Sequence, residues 1–195
     1  MAKKLHELEQ VYVPDRQSWR DWLSENHKSS PGIWLVYYKK ASGKLRVAYS
    51  DAVEEALCFG WIDSTVKTID EERSFQLFTP RKKGSTWSKL NKQRVEKLQK
   101  EGLMTPAGLA CINIAKENGM WEILDSVEAL IMPEELETAL KENKKALENF
   151  SNFSNSIKKG IYWWIISAKT AATRLKRIEK TLTMAEVNKR AQFDK

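Results

Sequence analysis

The sequence predicts an α+β fold in which a small antiparallel sheet packs with helices and a helical C-terminal part follows. Aromatic and β-branched runs at residues 33–38, 61–69 and 74–79 are typical of strands. The charged turn at residues 70–73 joins the last two runs as a hairpin, whereas everything after Ser85 has the apolar spacing of helices. The predicted order is β-β-α-β-β followed by helices, which favours an antiparallel sheet.

Capping residues set the expected boundaries in the first hundred residues. Asp15 is expected to cap a short helix, and a second short strand is predicted around residues 45–48. Asp51 resembles the first residue of a capping box, so a helix is expected from there until Gly60 ends it. We assign these elements to an α+β module over residues 1–100.

The remaining residues, 101–195, are predicted to form a helical part. A helix over residues 86–101 bridges the two parts and places Trp87 in its first turn. Further helices are predicted to begin at Pro106, which Thr105 caps, and at Pro133. Residues 156–168 and 171–187 are predicted to form a last helical pair, or one longer helix with a disturbance near Thr170.

The charge of the chain is segregated along the sequence. The 195 residues carry a formal net charge of +7, and residues 81–100 and 155–195 each carry a net +7 by themselves. If the two blocks lie on one face of this basic protein, that face would attract phosphate groups or an anionic surface, and an anionic partner is expected. Alternatively, both blocks are solvated helices whose charge is partly cancelled by the acidic segment 117–148.

Cysteine and histidine usage argues against metal or disulfide chemistry. Cys58 and Cys111 lie in apolar helical patterns without a CxxC pair, as expected of free thiols in a reducing compartment. His6 and His27 have no partner at ligand spacing, so neither a metal nor a cofactor is expected. The N-terminus lacks a signal-peptide core, and the longest apolar run, residues 161–166, is too short to span a bilayer. We therefore expect a cytoplasmic protein.

The strongest candidate site is the segment 81–91, where Arg, Lys, Lys, Gly, Ser and Thr lead into a helix. Cations beside the N–H groups of a helix N-terminus bind anions well, and the ring of Trp87 could stack on a planar ligand. The alternative is that Trp87 attaches the helix to the sheet while the cations lie in solvent. The candidate ligand-binding residues are Trp61, Asp63, Arg81, Lys82, Lys83, Ser85, Trp87 and Asn91.

No complete catalytic constellation accompanies these residues. Neither histidine lies in a motif-rich region, and the sequence has no nucleophile elbow, phosphate-binding loop or dinucleotide fingerprint. Asp63 could act as a general base if it is buried beside a ligand. It could equally be a carboxylate at a strand end that pairs with Arg81 or a lysine.

The apolar segment 161–166 is expected to be a core helix, because it is apolar on nearly every side. A homodimer interface or a docking surface for a partner helix is the second interpretation. A third is an interfacial membrane helix flanked by the cations Lys158, Lys159, Lys169, Arg174, Lys176 and Arg177.

Three phrases in the sequence resemble a known family. They are EALCFGWIDS (55–64), FTPRKKGSTWSKLNK (78–92) and GLMTPAGL (102–109), and they are similar to phrases of the bacterial YdeI/OmpD-associated, or bacteriocin-protection, family. The C-terminal stretch resembles that family's small helical module, at about residues 133–190. The resemblance implies a YjbR/CyaY-like α+β fold and a link to antimicrobial-peptide tolerance. It implies no reaction, cofactor or catalytic residue.

Three function hypotheses follow. The first is a non-enzymatic anion-binding or stress-tolerance protein whose face around Arg81, Lys82, Lys83 and Trp87 binds an anionic small molecule, with Asp63 orienting a nearby cation. The second is a nucleic-acid-binding protein, in which that face and the cations at 169–177 contact the phosphate backbone. The third is an enzyme acting on a phosphorylated small molecule, with Asp63 as the base.

Overall fold

The computed structural model describes residues 7–194, and the predicted α+β class is confirmed. Within these residues the strands are β1 (Glu9–Val11), β2 (Ile33–Tyr38), β3 (Trp61–Thr68) and β4 (Arg73–Pro80). The helices are α1 (Arg16–Asn26), α2 (Tyr49–Cys58), α3 (Lys89–Lys100), α4 (Pro106–Glu117), α5 (Asp125–Glu128), α6 (Glu134–Lys141), α7 (Lys144–Ser151), α8 (Asn155–Ile166) and α9 (Ala171–Glu186).

The sheet has the strand order β1-β2-β4-β3 and is mixed. β4 pairs antiparallel with both β2 and β3, and the β3–β4 pair is the predicted hairpin. β1 lies parallel to β2 at the edge of the sheet. The prediction of a wholly antiparallel sheet is therefore corrected to a mixed sheet. The sequence analysis missed β1 because its three residues, Glu-Gln-Val, are too few to show an alternating pattern.

The strand predicted at residues 45–48 is wrong, because this segment has no partner in the described sheet. Val47 is only 1% exposed and packs in the core. The carbonyl of Leu45 accepts a hydrogen bond of 2.6 Å from the Tyr12 hydroxyl. The segment is therefore held by the packing of one side chain and by one hydrogen bond, and its backbone joins no ladder.

Most predicted helix caps are present, with shifted boundaries in α2 and α3. Asp15 caps α1 and Thr105 caps α4, as predicted. α2 begins at Tyr49 without a side-chain cap, so the capping role predicted for Asp51 is wrong. α3 begins at Lys89, which leaves Trp87 in the preceding loop and not in the first turn.

Contacts divide the chain into two compact units, Met1–Glu122 and Ile123–Lys195. The first unit contains the sheet and α1–α4, and the second contains α5–α9. α4 packs against α2 in the first unit. The module boundary predicted at residue 100 stays a prediction. Fully buried side chains of the first core include Trp19, Trp61, Trp87 and Phe78, and those of the second include Leu136, Leu140 and Phe150.

The aromatic helix α8 belongs to the core of the second unit. Ile161, Tyr162 and Ile165 are buried against α9 and its neighbours, as the core interpretation predicts. Trp163 and Trp164 are half-buried. A homodimer through this helix stays a prediction. None of the helices formed by residues 7–194 is long and apolar enough to cross a membrane.

Buried carboxylates on α2 join the helices of the first unit. The Glu55 side chain is 2% exposed and contacts the guanidinium groups of Arg16 and Arg20, each at 2.6 Å. Glu54 contacts Arg16 at 3.0 Å and Lys97 at 3.2 Å. The Arg20 guanidinium also donates to the carbonyl of Leu103 at 2.9 Å. These contacts connect α1 and α3 to α2 through charge pairs whose carboxylates are buried and whose cations remain partly exposed.

We predict that Glu55→Ala destabilises the first unit by about 1.5–3 kcal/mol, because two partly exposed guanidinium groups then lose their shared buried carboxylate. Glu96→Ala, which removes an exposed carboxylate from α3, should change stability by less than about 0.5 kcal/mol. Chemical denaturation followed by tryptophan fluorescence measures both. Equal effects of the two variants would show that the Glu55 pairs contribute nothing beyond a surface charge.

Candidate functional site

The loop between β4 and α3 is held in place by its own backbone. The Arg81 N–H donates to the Gly60 carbonyl at 2.9 Å and so extends the β3–β4 pairing. In the following turn the Ser85 N–H donates to the Lys82 carbonyl at 2.9 Å, and the Lys82 N–H donates to Ser85 Oγ at 3.0 Å. The Lys83 carbonyl accepts a hydrogen bond of 2.8 Å from the Asn118 side chain. The loop therefore has a defined conformation.

The guanidinium of Arg81 is buried without a carboxylate. Its carbon lies 3.7 Å from the centroid of the Trp87 ring, and Nη1 donates to the Thr86 carbonyl at 3.1 Å. Nε and Nη2 are closed to solvent and make no hydrogen bond. Within residues 7–194 no carboxylate lies within ion-pair distance of this group. Burial lowers the pKa of Arg81 to about 10, although Cys111 and Asp63 act in the opposite direction.

A cavity of about 40 Å³, partly open to solvent, lies beside this side chain, and we call it the Arg81 cavity. It brings together the loop and the inward face of α4. Five of the predicted site residues line it, and α4 supplies three more that the sequence analysis missed. Its lining residues are Arg81, Lys82, Lys83, Ser85, Trp87, Cys111, Ile114 and Ala115.

Two glycines let α4 approach closely enough to close the cavity. A Cβ at Gly108 would lie 2.4 Å from the Cys58 carbonyl oxygen, so only glycine fits where α4 crosses the end of α2. Gly60 has a φ of +74°, and a Cβ there would lie 2.7 Å from Cys111 Sγ. The sequence shows both glycines, but their long-range neighbours become visible only in the fold.

The two predicted tryptophans are structural. Trp87 is 1% exposed, and its ring contacts Trp121 at a centroid distance of 5.0 Å besides the Arg81 guanidinium. It therefore has no exposed face on which a base could stack. Trp61 is also 1% exposed and donates from Nε1 to the His27 carbonyl at 3.2 Å, away from the cavity lining.

Asp63 and Asn91 also lie outside the cavity lining. Asp63 accepts a hydrogen bond of 2.6 Å from the Tyr49 hydroxyl, and it makes no ion pair with Arg81. Burial and this hydrogen bond raise the pKa of Tyr49 to about 12. The side chain of Asn91 accepts a hydrogen bond of 3.0 Å from Arg94. The Asn91 N–H donates to the side chain of Ser88, which caps α3. The N–H groups at this helix N-terminus were expected to take part in the anion site, but the first residues of α3 do not line the cavity.

Metal ligands do not gather in the described part of the chain. Residues 7–194 contain no group of three His, Cys, Asp or Glu side chains placed to hold an ion. His27 Nδ1 lies 2.8 Å from the carbonyl of Leu23 in α1, and His6 lies outside the described residues.

Two family models match the chain, and each match lies within one of the two compact units. A family model described as "Domain of unknown function (DUF8412)" matches residues 11–111, just over half of the chain. The chain belongs to this family. The DUF8412 region contains the loop at residues 81–88 and Cys111, and so most of the Arg81 cavity.

A second family model, described as "Bacteriocin-protection, YdeI or OmpD-Associated", matches residues 129–188. This confirms the resemblance to that family over the C-terminal helical module. The phrases at 55–64, 78–92 and 102–109 that first suggested the family lie within the DUF8412 match. No curated protein and no solved structure matches the chain.

We predict that Gly108→Ala destabilises the first unit by about 1–3 kcal/mol and increases exposure of Cys111, because the added methyl group pushes α4 away from α2. Gly84→Ala is the matched control, since no atom lies within 4 Å of the position of its Cβ. Thermal unfolding and the rate of thiol alkylation measure the two effects. A Gly108→Ala protein as stable and as unreactive as the wild type would contradict the close contact.

Proposed function

We propose that this protein is a non-enzymatic anion-binding protein of the bacterial cytoplasm, and that the Arg81 cavity is its binding site. The observation that carries the proposal is the Arg81 side chain, which lines a small cavity and whose guanidinium has two buried N–H donors without an acceptor. A buried charge is unfavourable unless it is paired and hydrogen-bonded. An anion in the cavity supplies both the opposite charge and the acceptors.

The free energy recovered when the two buried donors gain acceptors favours binding of an anion. Each buried donor without an acceptor costs about 1–3 kcal/mol, and more when the group is charged. An anion that accepts from Nε and Nη2 recovers this free energy on binding. Because Nε and Nη2 are closed to solvent, the guanidinium must turn toward the cavity to make these bonds, and this rotation offsets part of the free energy recovered.

Lys82 and Lys83 contribute charge at the cavity. Both lysines are exposed while also contributing to the cavity lining, so they place positive charge where an anion enters. Surface cations of this kind increase the rate of association with an anion, and their effect decreases with salt. They therefore support attraction of the ligand, while Arg81 supports its retention.

The nucleic-acid alternative has less support in this geometry. Trp87 offers no ring face for base stacking. On α9, Arg174 pairs with Glu135 at 2.8 Å, and Arg177 donates to the Trp164 carbonyl. Two of the cations assigned to the phosphate backbone therefore already have protein partners.

The enzyme alternative likewise lacks a base in the cavity. Asp63 hydrogen-bonds Tyr49 and does not line the cavity. The thiol of Cys111 does line it, but burial raises its pKa, against the weaker influence of Arg81. We therefore propose binding without a chemical step.

We further propose that anion binding serves stress tolerance. The match of residues 129–188 to a bacteriocin-protection family supports a role in tolerance of antimicrobial peptides. In this proposal the first unit senses or sequesters an anion, and the second unit performs the function common to that family.

Cys111 provides a direct test, because it lines the cavity whereas Cys58 is fully buried. We predict that phosphate slows alkylation of Cys111 by neutral iodoacetamide at least about threefold, since the anion occupies the space beside the thiol. Intact mass measured over time gives the rate, with ionic strength held constant. Cys111→Ser identifies the labelled position.

Arg81→Leu should remove the protection, whereas Lys100→Leu, which removes an exposed cation at the end of α3, should retain it. Circular dichroism verifies that both variants are folded. If no small anion changes the rate in the wild-type protein, the cavity is not an anion site and the proposal fails.

A further inference from the structure

The two donors of Arg81 that have no acceptor lie on the same edge of the guanidinium. Nη1 is engaged by the Thr86 carbonyl, whereas Nε and Nη2 have no acceptor. Nε–H and the adjacent Nη2–H form one edge of the planar group and point in nearly parallel directions. This edge matches two oxygen atoms of a single oxyanion and forms the two-bond pair typical of arginine with phosphate or carboxylate.

We infer that the Arg81 cavity binds one tetrahedral oxyanion of the phosphate or sulfate type, with two of its oxygens accepting from Nε and Nη2 of Arg81. The ion is either free or the terminal group of a larger molecule. This inference rests on the proposed function and specifies its ligand. Because both nitrogens are closed to solvent, binding requires a rotation of the guanidinium edge toward the cavity.

The volume of the cavity limits the ligand to its anionic group. About 40 Å³ corresponds to roughly three water-sized spheres, so three of the four oxygens of a tetrahedral oxyanion fit inside and the fourth lies at the opening. A nucleobase or a sugar ring does not fit, and the buried Trp87 offers no stacking surface outside. Any larger part of the molecule must project from the opening, beside Lys82 and Lys83.

Charge and donors favour a tetrahedral dianion over other anions. Arg81, Lys82 and Lys83 place three cations at the cavity. Ser85 Oγ accepts from the Lys82 N–H, so its own hydroxyl hydrogen can point to a third ligand oxygen. A carboxylate has two oxygens and one charge, and chloride is a single acceptor that cannot align with both N–H bonds of the edge.

Arg81→Lys tests the geometry, because lysine keeps the charge and loses the two-donor edge. The measurement is the anion concentration that halves the alkylation rate of Cys111, at constant ionic strength. For the wild-type protein we expect this concentration to be at least about tenfold lower for phosphate or sulfate than for chloride or acetate. In Arg81→Lys the phosphate value should rise at least about tenfold, while the chloride value changes less than about threefold.

The outcomes separate the inference from the proposed function. If chloride or acetate protects the wild-type thiol as well as phosphate does, the tetrahedral-oxyanion inference is overturned and the anion site remains. If no anion protects it, the proposed function itself fails. Glycerol phosphate separates the two sources: protection equal to that of phosphate indicates a terminal phosphate group, and weaker protection indicates the free ion. The wild-type comparison remains decisive even if Arg81→Lys does not fold.

Discussion

A buried positive charge without a carboxylate partner determines how this region of the protein can work. The Arg81 guanidinium is held by the Trp87 ring against its face and by the Thr86 carbonyl at Nη1, and these contacts leave Nε and Nη2 without acceptors. In the same unit Arg16 and Arg20 are paired with buried carboxylates. Arginines of this unit that are even partly exposed thus have carboxylate partners within the protein, whereas the Arg81 guanidinium has none and is suited to an anion from outside.

The fold creates this situation through long-range packing. The β3–β4 hairpin ends where Arg81 leaves the sheet, and the tight contact at Gly108 places α4 and Cys111 against the loop. The charge pairs of Glu55 join α1 to α2, the helix on which α4 rests. The cavity therefore depends on residues far from it in sequence.

Local patterns predicted the parts of the fold that depend on local chemistry. The runs of strand-forming residues in β3 and β4, the turn between them and the caps at Asp15 and Thr105 were readable in the sequence. The segment 45–48 has the composition of a strand, yet only Val47 packs in the core and its backbone has no ladder partner. The buried role of Glu55 was missed, because its charge gives no local sign that two distant arginines meet it.

The candidate site was also predictable only in its local features. The basic loop could be identified from its composition, but the sequence could not show that Trp87 is buried or that Cys111 completes the cavity. The most direct measurement is a crystal structure with selenate, whose selenium is located by anomalous scattering. We expect a selenium peak in the Arg81 cavity, with two oxygens within hydrogen-bond distance of Nε and Nη2. Selenate bound only at surface lysines, or an Arg81 paired with a protein carboxylate, would contradict it.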